Sequence, residues 1–172
     1  MAELDIKIFC SGLLDSTKKY MPEFEIITWE RLHEDCRQLA SKLESTSLKF
    51  QKMVTVARGG LIPAGVIASI LNIRVIDTIC MQSYDDSDYS KRELVVKKTS
   101  SFDGDGTGML VIDDIIDSGT TIAKVKEFYP KSFIAALYVK LEGRARADVY
   151  VREINKWIVL PWEPLPEEYV TR

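Results

Sequence analysis

Two stretches of this chain are built to the same plan. MVTVA, from Met53 to Ala57, is a short apolar run that meets Arg58-Gly59-Gly60 and gives way to LIPAGVIASILN. MLVID, from Met109 to Asp113, leads through DIIDSGT into TIAKVKEFYP. Each reads as a buried strand, then a polar glycine-bearing turn, then a helix. IRVIDTICMQS follows the first helix and SFIAALYV the second, and both read as further strands. Strand, helix, strand, repeated along one chain, implies an α/β domain with a largely parallel sheet. Ligands of such sheets sit beyond the carboxyl ends of the strands. The chemically unusual groups fall there: Ala57 to Gly60, Asp113 to Thr121, and Lys140.

The remaining segments are expected as follows. Leu4 to Cys10 alternates apolar and polar residues, as a short strand does, and SGLLDSTKKYMPEF then connects. Trp29, Leu32, Cys36, Leu39, Ala40 and Leu43 share one helical face, with Thr28 placed to cap that helix. YDDSDYSKRE is polar throughout and reads as a long loop. ELVVKKTS is a strand and GDGTG a turn. Pro130 stops the helix before it. After Lys140 the chain turns polar, and its last stretch, WIVLPWEPLP, carries too many prolines for a central strand.

Composition narrows the partners. The chain has 172 residues, 46% of them apolar, which suits one domain with a real core. Lysine plus arginine number 23 against 26 acids, a net charge of −3, so the basic footprint of a nucleic-acid binder is lacking. No apolar run reaches the roughly 20 residues that span a bilayer, and MAELDIKIFC has no leader pattern. A cytoplasmic protein without an integral membrane segment is expected. Cys10, Cys36 and Cys80 show no metal-binding spacing and read as reduced thiols. His33, the sole histidine, lies in the first helix and reads as structural.

VIDDIIDSGTT, from Val111 to Thr121, concentrates three carboxylates and three hydroxyls where a strand ends and a helix begins. The first amides of a helix lack internal partners and favour an anion. Gly119 lets the backbone come close, and Ser118, Thr120 and Thr121 add donors. The segment lacks the lysine of a nucleoside-triphosphatase P-loop. Asp113 and Asp114 would repel a phosphate unless they serve something else. Accepting from sugar hydroxyls and holding a magnesium ion both fit. Asp117 is placed to handle a proton on a ring nitrogen. Phosphate, ribose diol and magnesium together describe a phosphorylated sugar.

That stretch resembles the phosphoribosyl-pyrophosphate signature of the type I phosphoribosyltransferases. The resemblance continues, in order, through ITWERLHEDCRQLASKL, VARGGLIPAG, IRVIDTICMQSYD, KREL, EFYPKSFIAALYVK and WIVLPWE, and is nearest to the bacterial purine-salvage members. It implies a parallel sheet flanked by helices, a mobile active-site loop, and a small C-terminal hood formed by residues 141–172. Residues 1–22 become an extension without an assigned role. The implied reaction moves 5-phosphoribosyl from phosphoribosyl pyrophosphate to N9 of xanthine or guanine, with hypoxanthine used less well, and releases pyrophosphate.

Residue roles follow from the resemblance. Asp113 and Asp114 match the pair that contacts the ribose hydroxyls, with Asp114 also associated with magnesium. Asp117 matches the general base beside N7, and Asp117 to Thr121 (Ser118, Gly119 and Thr120 between them) the loop around the 5′-phosphate. Arg58 and Gly59 match the pyrophosphate-binding pair. The family often has a cis peptide before that arginine, so a cis Ala57–Arg58 bond is expected. Arg92 matches a basic residue of the closing loop. Lys140 matches the donor to the purine's exocyclic oxygen, and Trp157 and Ile158 the pair bordering the base. Trp162 is read as packing. A homodimer or homotetramer is implied as well. Close bacterial members associate peripherally with the inner membrane, though no amphipathic anchor is visible here.

Three departures stand out. Thr120 replaces a usual glycine, Leu141-Glu142 stand where Pro-Ala is common, and the first roughly 20 residues precede the matching region. A hypoxanthine–guanine enzyme is the nearest alternative. A regulator that senses phosphoribosyl pyrophosphate is a second, disfavoured by the short N-terminal extension and the negative charge. A generic nucleotide-binding domain leaves Arg58, Lys140 and Trp157 unexplained.

Overall fold

The computed structural model describes residues 23–84 and 93–164. The Leu4–Cys10 strand and most of the polar loop, including Arg92, lie outside the described residues.

The chain runs β1 (Phe24–Ile26), α1 (Trp29–Glu44), β2 (Lys52–Ala57), α2 (Leu61–Ile70), β3 (Ile76–Tyr84), β4 (Glu93–Lys98), β5 (Met109–Ile116), α3 (Thr120–Phe128), β6 (Phe133–Val139), a 3-10 turn (Arg144–Arg146), β7 (Val149–Glu153) and β8 (Trp157–Val159). Six strands form one sheet in the order β4-β3-β2-β5-β6-β7. All its pairings are parallel except β3 with β4. The expected α/β fold with a largely parallel sheet is therefore present.

Period-two alternation builds the core. Met53, Leu110, Ile112, Ala135 and Leu137 face α1 and α2, while Val54, Val111, Ile134 and Ala136 face α3. A strand covered on both faces must be apolar at every position, which is why these strands read as continuous apolar runs. Thr28 caps α1 as expected, its hydroxyl accepting from the Arg31 N–H at 3.2 Å. Cys36 is packed in the core, and burial pushes its thiol up to about 12. Cys36 and Cys80 are free thiols, and His33 is exposed on α1.

Four expectations need correction. β5 does not end at the aspartates but runs on to Ile116, because its pairing with β6 extends to Ile116↔Val139 after its pairing with β2 has stopped at Thr55↔Ile112. Phe24, the last residue of the expected connector, opens a strand, Phe24–Ile26, that pairs in parallel with Trp157–Val159 as a separate two-stranded sheet. The polar stretch after Lys140 contains β7, the edge strand beside β6. Trp29 does not join the buried face of α1; it is half exposed and meets Trp162, ring centroids 6.1 Å apart.

β7 is anchored by a buried network that local pattern did not reveal. Asp35 of α1 is fully buried. It accepts from Arg152 Nε and Nη2 at 3.0 and 2.7 Å and from the Tyr138 hydroxyl at 2.8 Å. A buried carboxylate is tolerable only when its oxygens are satisfied in this way.

Candidate active site

Strand order reverses between β2 and β5: β3 and β4 lie to one side, β6 and β7 to the other. The crevice at the carboxyl ends of β2 and β5 is the natural ligand position in such a sheet. β2 leads into the turn Arg58-Gly59, and β5 carries Asp113 to Ile116.

The β2 turn is shaped by close approach. The Ala57–Arg58 peptide is cis, as expected. A Cβ on Gly59 would overlap the Asp114 carboxylate, so glycine here lets the two strand ends meet. A Cβ on Gly60 would come 2.6 Å from Thr55 Oγ1 and 2.8 Å from the carbonyls of Ile112 and Val56. Gly60 thus packs the start of α2 onto the sheet, a role its neighbour's motif had overshadowed.

Asp113 and Asp114 form a strongly perturbed pair. Asp113 Oδ1 accepts from the Asp114 N–H at 3.0 Å, and Asp114 Oδ1 from the Ile115 N–H at 2.8 Å. Burial raises the Asp113 carboxyl well above the ordinary carboxylate range, with the charge of Asp114 adding to it. Burial also raises Asp114. Two carboxyls held this way gain from a cation or from donors supplied by a ligand.

Beyond them the chain curls into a small cradle of about 80 Å³, lined by Asp117, Ser118, Gly119, Thr120 and Thr121. Gly119 has φ +81°, a left-handed conformation that glycine adopts without cost, and it precedes the first turn of α3. The Ser118 and Thr120 hydroxyls lie 2.9 Å apart. Thr120, in place of the usual glycine, therefore takes part in the loop's own hydrogen bonding.

A larger cavity, about 670 Å³, is bordered by Arg58, Gly59, Met81, Asp114, Trp162 and Glu163. Trp162, expected to serve as packing, does pack on Trp29 and also walls this cavity. Glu163, the last residue of WIVLPWE, carries no local signal that marks it as part of the site. Its Oε2 accepts from the Leu160 N–H at 2.9 Å, which closes the turn that brings both residues to the site.

On the β6 side, Lys140 Nζ lies 3.2 Å from Asp117 Oδ2 and 5.6 Å from the centre of the Trp157 ring. Three residues singled out separately in the sequence thus meet at one corner. Trp157 is half exposed, whereas the Ile158 side chain is buried in the core, leaving only its backbone for a ligand. Leu141 and Glu142 are exposed, and the Leu141 N–H donates to Asn155 Oδ1 at 3.1 Å. A proline there could not make that bond, so this departure re-ties the turn and points its side chains to solvent.

The switch-point crevice thus joins a glycine-bearing turn at the start of α3 to a buried aspartate pair at the end of β5. The chain belongs to the phosphoribosyltransferase family, whose phosphoribosyl transferase domain matches residues 25–168. It is 40% identical, over 139 residues, to the xanthine-guanine phosphoribosyltransferase of Desulfotalea psychrophila, covering 80% of this chain and 84% of that one. Among solved structures it resembles the purine phosphoribosyltransferase of Pyrococcus horikoshii Ot3, at 31% identity and a TM-score of 0.73, covering 83% of this chain and 95% of that one. The xanthine-guanine-hypoxanthine phosphoribosyltransferase of Helicobacter pylori shares the fold at 20% identity and a TM-score of 0.72, covering 87% of this chain and all of that one. No described helix is long and apolar enough to cross a membrane.

Proposed function

We propose that this protein transfers the 5-phosphoribosyl group of phosphoribosyl pyrophosphate to N9 of xanthine or guanine, using hypoxanthine less well. The meeting of Lys140, Asp117 and Trp157 at one corner of the crevice carries this reading. Named relatives with purine substrates support it.

Each group has a task. The loop from Asp117 to Thr121 holds the 5′-phosphate through backbone amides and hydroxyls. Asp113 and Asp114 accept from the ribose hydroxyls. Arg58 and Gly59 hold the pyrophosphate, and Arg92 comes over it from the loop outside the described residues. The base stacks on Trp157 and is bordered by the backbone of Trp157 and Ile158. Lys140 donates to the oxygen at position 6. Adenine carries an amino group there and leaves the ammonium without an acceptor. Asp117 takes up the proton at the purine N7 edge as N9 forms its bond to C1 of the ribose. Holding both reactants in line supplies much of the rate.

Magnesium fits the donor set. Asp114 faces the cavity that Arg58 and Gly59 share, and its carboxyl is held above its usual range when no cation is near. Among the described residues no cluster of three or more potential metal ligands exists. Such an ion would be held by one or two carboxylates and completed by water and substrate oxygens. Bound there, it would neutralise charge developing on the departing pyrophosphate.

A homo-oligomer in the cytoplasm belongs to the same reading. Ile70 at the end of α2, with Val75 and Ile76 before and at the start of β3, leaves exposed apolar surface that a second copy would cover.

Nucleotide formation with magnesium and phosphoribosyl pyrophosphate tests the proposal, with xanthine, guanine, hypoxanthine, adenine and orotate compared under identical conditions. Fast turnover of xanthine and guanine with adenine silent is expected. Equal use of adenine would overturn the role of Lys140.

A further inference from the structure

We infer that Gly143 is a positioning residue for base selection: it sets the separation of Asp117 and Lys140. The inference rests on the roles proposed above for those two side chains.

Gly143 has φ −86° and ψ −12°, an ordinary right-handed conformation open to any residue. Its backbone therefore gives no reason for glycine. The space around it does. Gly143 is buried, and a Cβ there would overlap the Asp117 carbonyl oxygen and come 2.7 Å from the Ile116 carbonyl oxygen and 2.8 Å from Ile116 Cγ2. Two of these three neighbours are main chain and cannot swing aside as a flexible side-chain end could.

The turn carrying Gly143 also carries Lys140. The Lys140 N–H donates to the Ile116 carbonyl at 2.9 Å. The Gly143 and Arg144 N–H groups donate to the Lys140 carbonyl at 3.1 and 3.0 Å. Residues 140–143 thus form a closed turn lying flat on the Ile116–Asp117 backbone, with Gly143 as the contact point. A methyl group at that point must lift the turn or push Asp117 away. Both movements change the 3.2 Å separation between Lys140 Nζ and Asp117 Oδ2. That separation matches one edge of a 6-oxopurine, where the ring nitrogen at N7 and the oxygen at position 6 are neighbours.

Gly143→Ala tests the assignment in steady-state kinetics with phosphoribosyl pyrophosphate, magnesium and either guanine or adenine. A misplacement of about 1 Å costs on the order of 100-fold, so kcat/KM for guanine should fall about 10- to 100-fold. KM for phosphoribosyl pyrophosphate should stay within about threefold, and the preference for guanine over adenine should narrow. If Gly143 acts through Lys140, the double variant Lys140→Gln, Gly143→Ala should be no worse than Lys140→Gln alone. A lower unfolding midpoint with unaltered base kinetics would overturn the inference. So would equal rises in both KM values, or full additivity in the double variant. Should Gly143→Ala fail to fold, glycine-selective nitrogen-15 labelling of the unaltered protein asks the same question. The Gly143 amide resonance should move with GMP and stay still with ribose 5-phosphate plus pyrophosphate; the reverse or no movement counts against it. Failure of the unaltered protein to use any 6-oxopurine would sink the functional proposal itself. Normal turnover of both forms would sink only the role of Gly143.

Discussion

Lys140 and Asp117 each stand one residue past the end of a strand, and their strands are neighbours. The parallel register pairs Ile116 of β5 with Val139 of β6, so the next residue on each chain is delivered to the same side of the crevice. There Lys140 Nζ and Asp117 Oδ2 are 3.2 Å apart, with the Trp157 ring 5.6 Å from the same nitrogen. Without a base, the lysine is held by the carboxylate and the indole face. In the proposed reaction, a purine that offers an acceptor to Lys140 and a proton to Asp117 would replace this pair with two directed contacts.

Asp117→Asn keeps the shape of the side chain and removes its basicity. The expected outcome is a fall in kcat of at least about 100-fold, with affinity for phosphoribosyl pyrophosphate retained. Pre-steady-state rates together with a binding titration would check it. Equal loss of both would mean that Asp117 serves the sugar phosphate rather than the base.

Lys140→Gln should raise KM for guanine about tenfold or more, because the neutral amide lacks the charge that strengthens the bond to the oxygen at position 6. Adenine should gain relative to guanine. Competition between the two bases in one reaction reads the ratio directly. An unchanged ratio would leave selection to Trp157 and the nearby backbone.

Gly119→Ala tests the cradle. The residue sits at φ +81°, and a Cβ would come 2.5 Å from Arg146 Cγ. Both the conformation and the stem of Arg146 oppose the added methyl. A stability loss of about 1 kcal/mol or more is expected, with a rise of about tenfold in KM for phosphoribosyl pyrophosphate. Thermal melts alongside initial rates would separate the two effects.

Asp113→Asn should stabilise the protein while impairing it, and the gain should depend on pH. Burial, then the charge of Asp114, holds the Asp113 carboxyl well above its ordinary range. From about pH 4, where the unfolded chain ionises, the folded protein keeps the extra proton. Stability contributed by this group therefore falls as pH rises through that window, and the full cost of a buried charge is present above it. Asparagine does not titrate, and its oxygen can still accept from the Asp114 N–H. In the absence of magnesium the variant should melt about 3 °C higher near pH 8, with the difference shrinking toward pH 4. Calorimetry at both values would check this. A gain that does not change with pH would point to packing rather than charge.

Asp35→Ala addresses the buried network that ties α1 to β6 and β7 through Tyr138 and Arg152. It strands the Tyr138 hydroxyl and removes the bidentate partner of Arg152. Arg152 is partly exposed and can turn toward water, so a loss of about 2 kcal/mol is expected rather than the larger cost of a fully buried orphan. Denaturant titration would show it.

The inner strands, the helices and the glycine-bearing turn before α3 were legible in the sequence because their signals are local. A strand covered on both faces must be apolar throughout, a cap such as Thr28 acts within one turn, and Gly119 answers a conformational need of its own backbone. Tertiary structure alone decided the rest. β1 and β8 have three residues each, too short for any periodicity, and they exist because Phe24 pairs with Trp157 across the chain. β7 hides in a polar stretch because it is an edge strand whose position depends on Asp35 and Arg152, 117 residues apart. Trp162 and Glu163 reach the crevice only through the turn that follows β8. Gly143 has an ordinary backbone conformation, so nothing in its neighbours along the chain distinguishes it. Local order follows from the preferences of adjacent residues, whereas the width of a site follows from which distant backbones are allowed to touch.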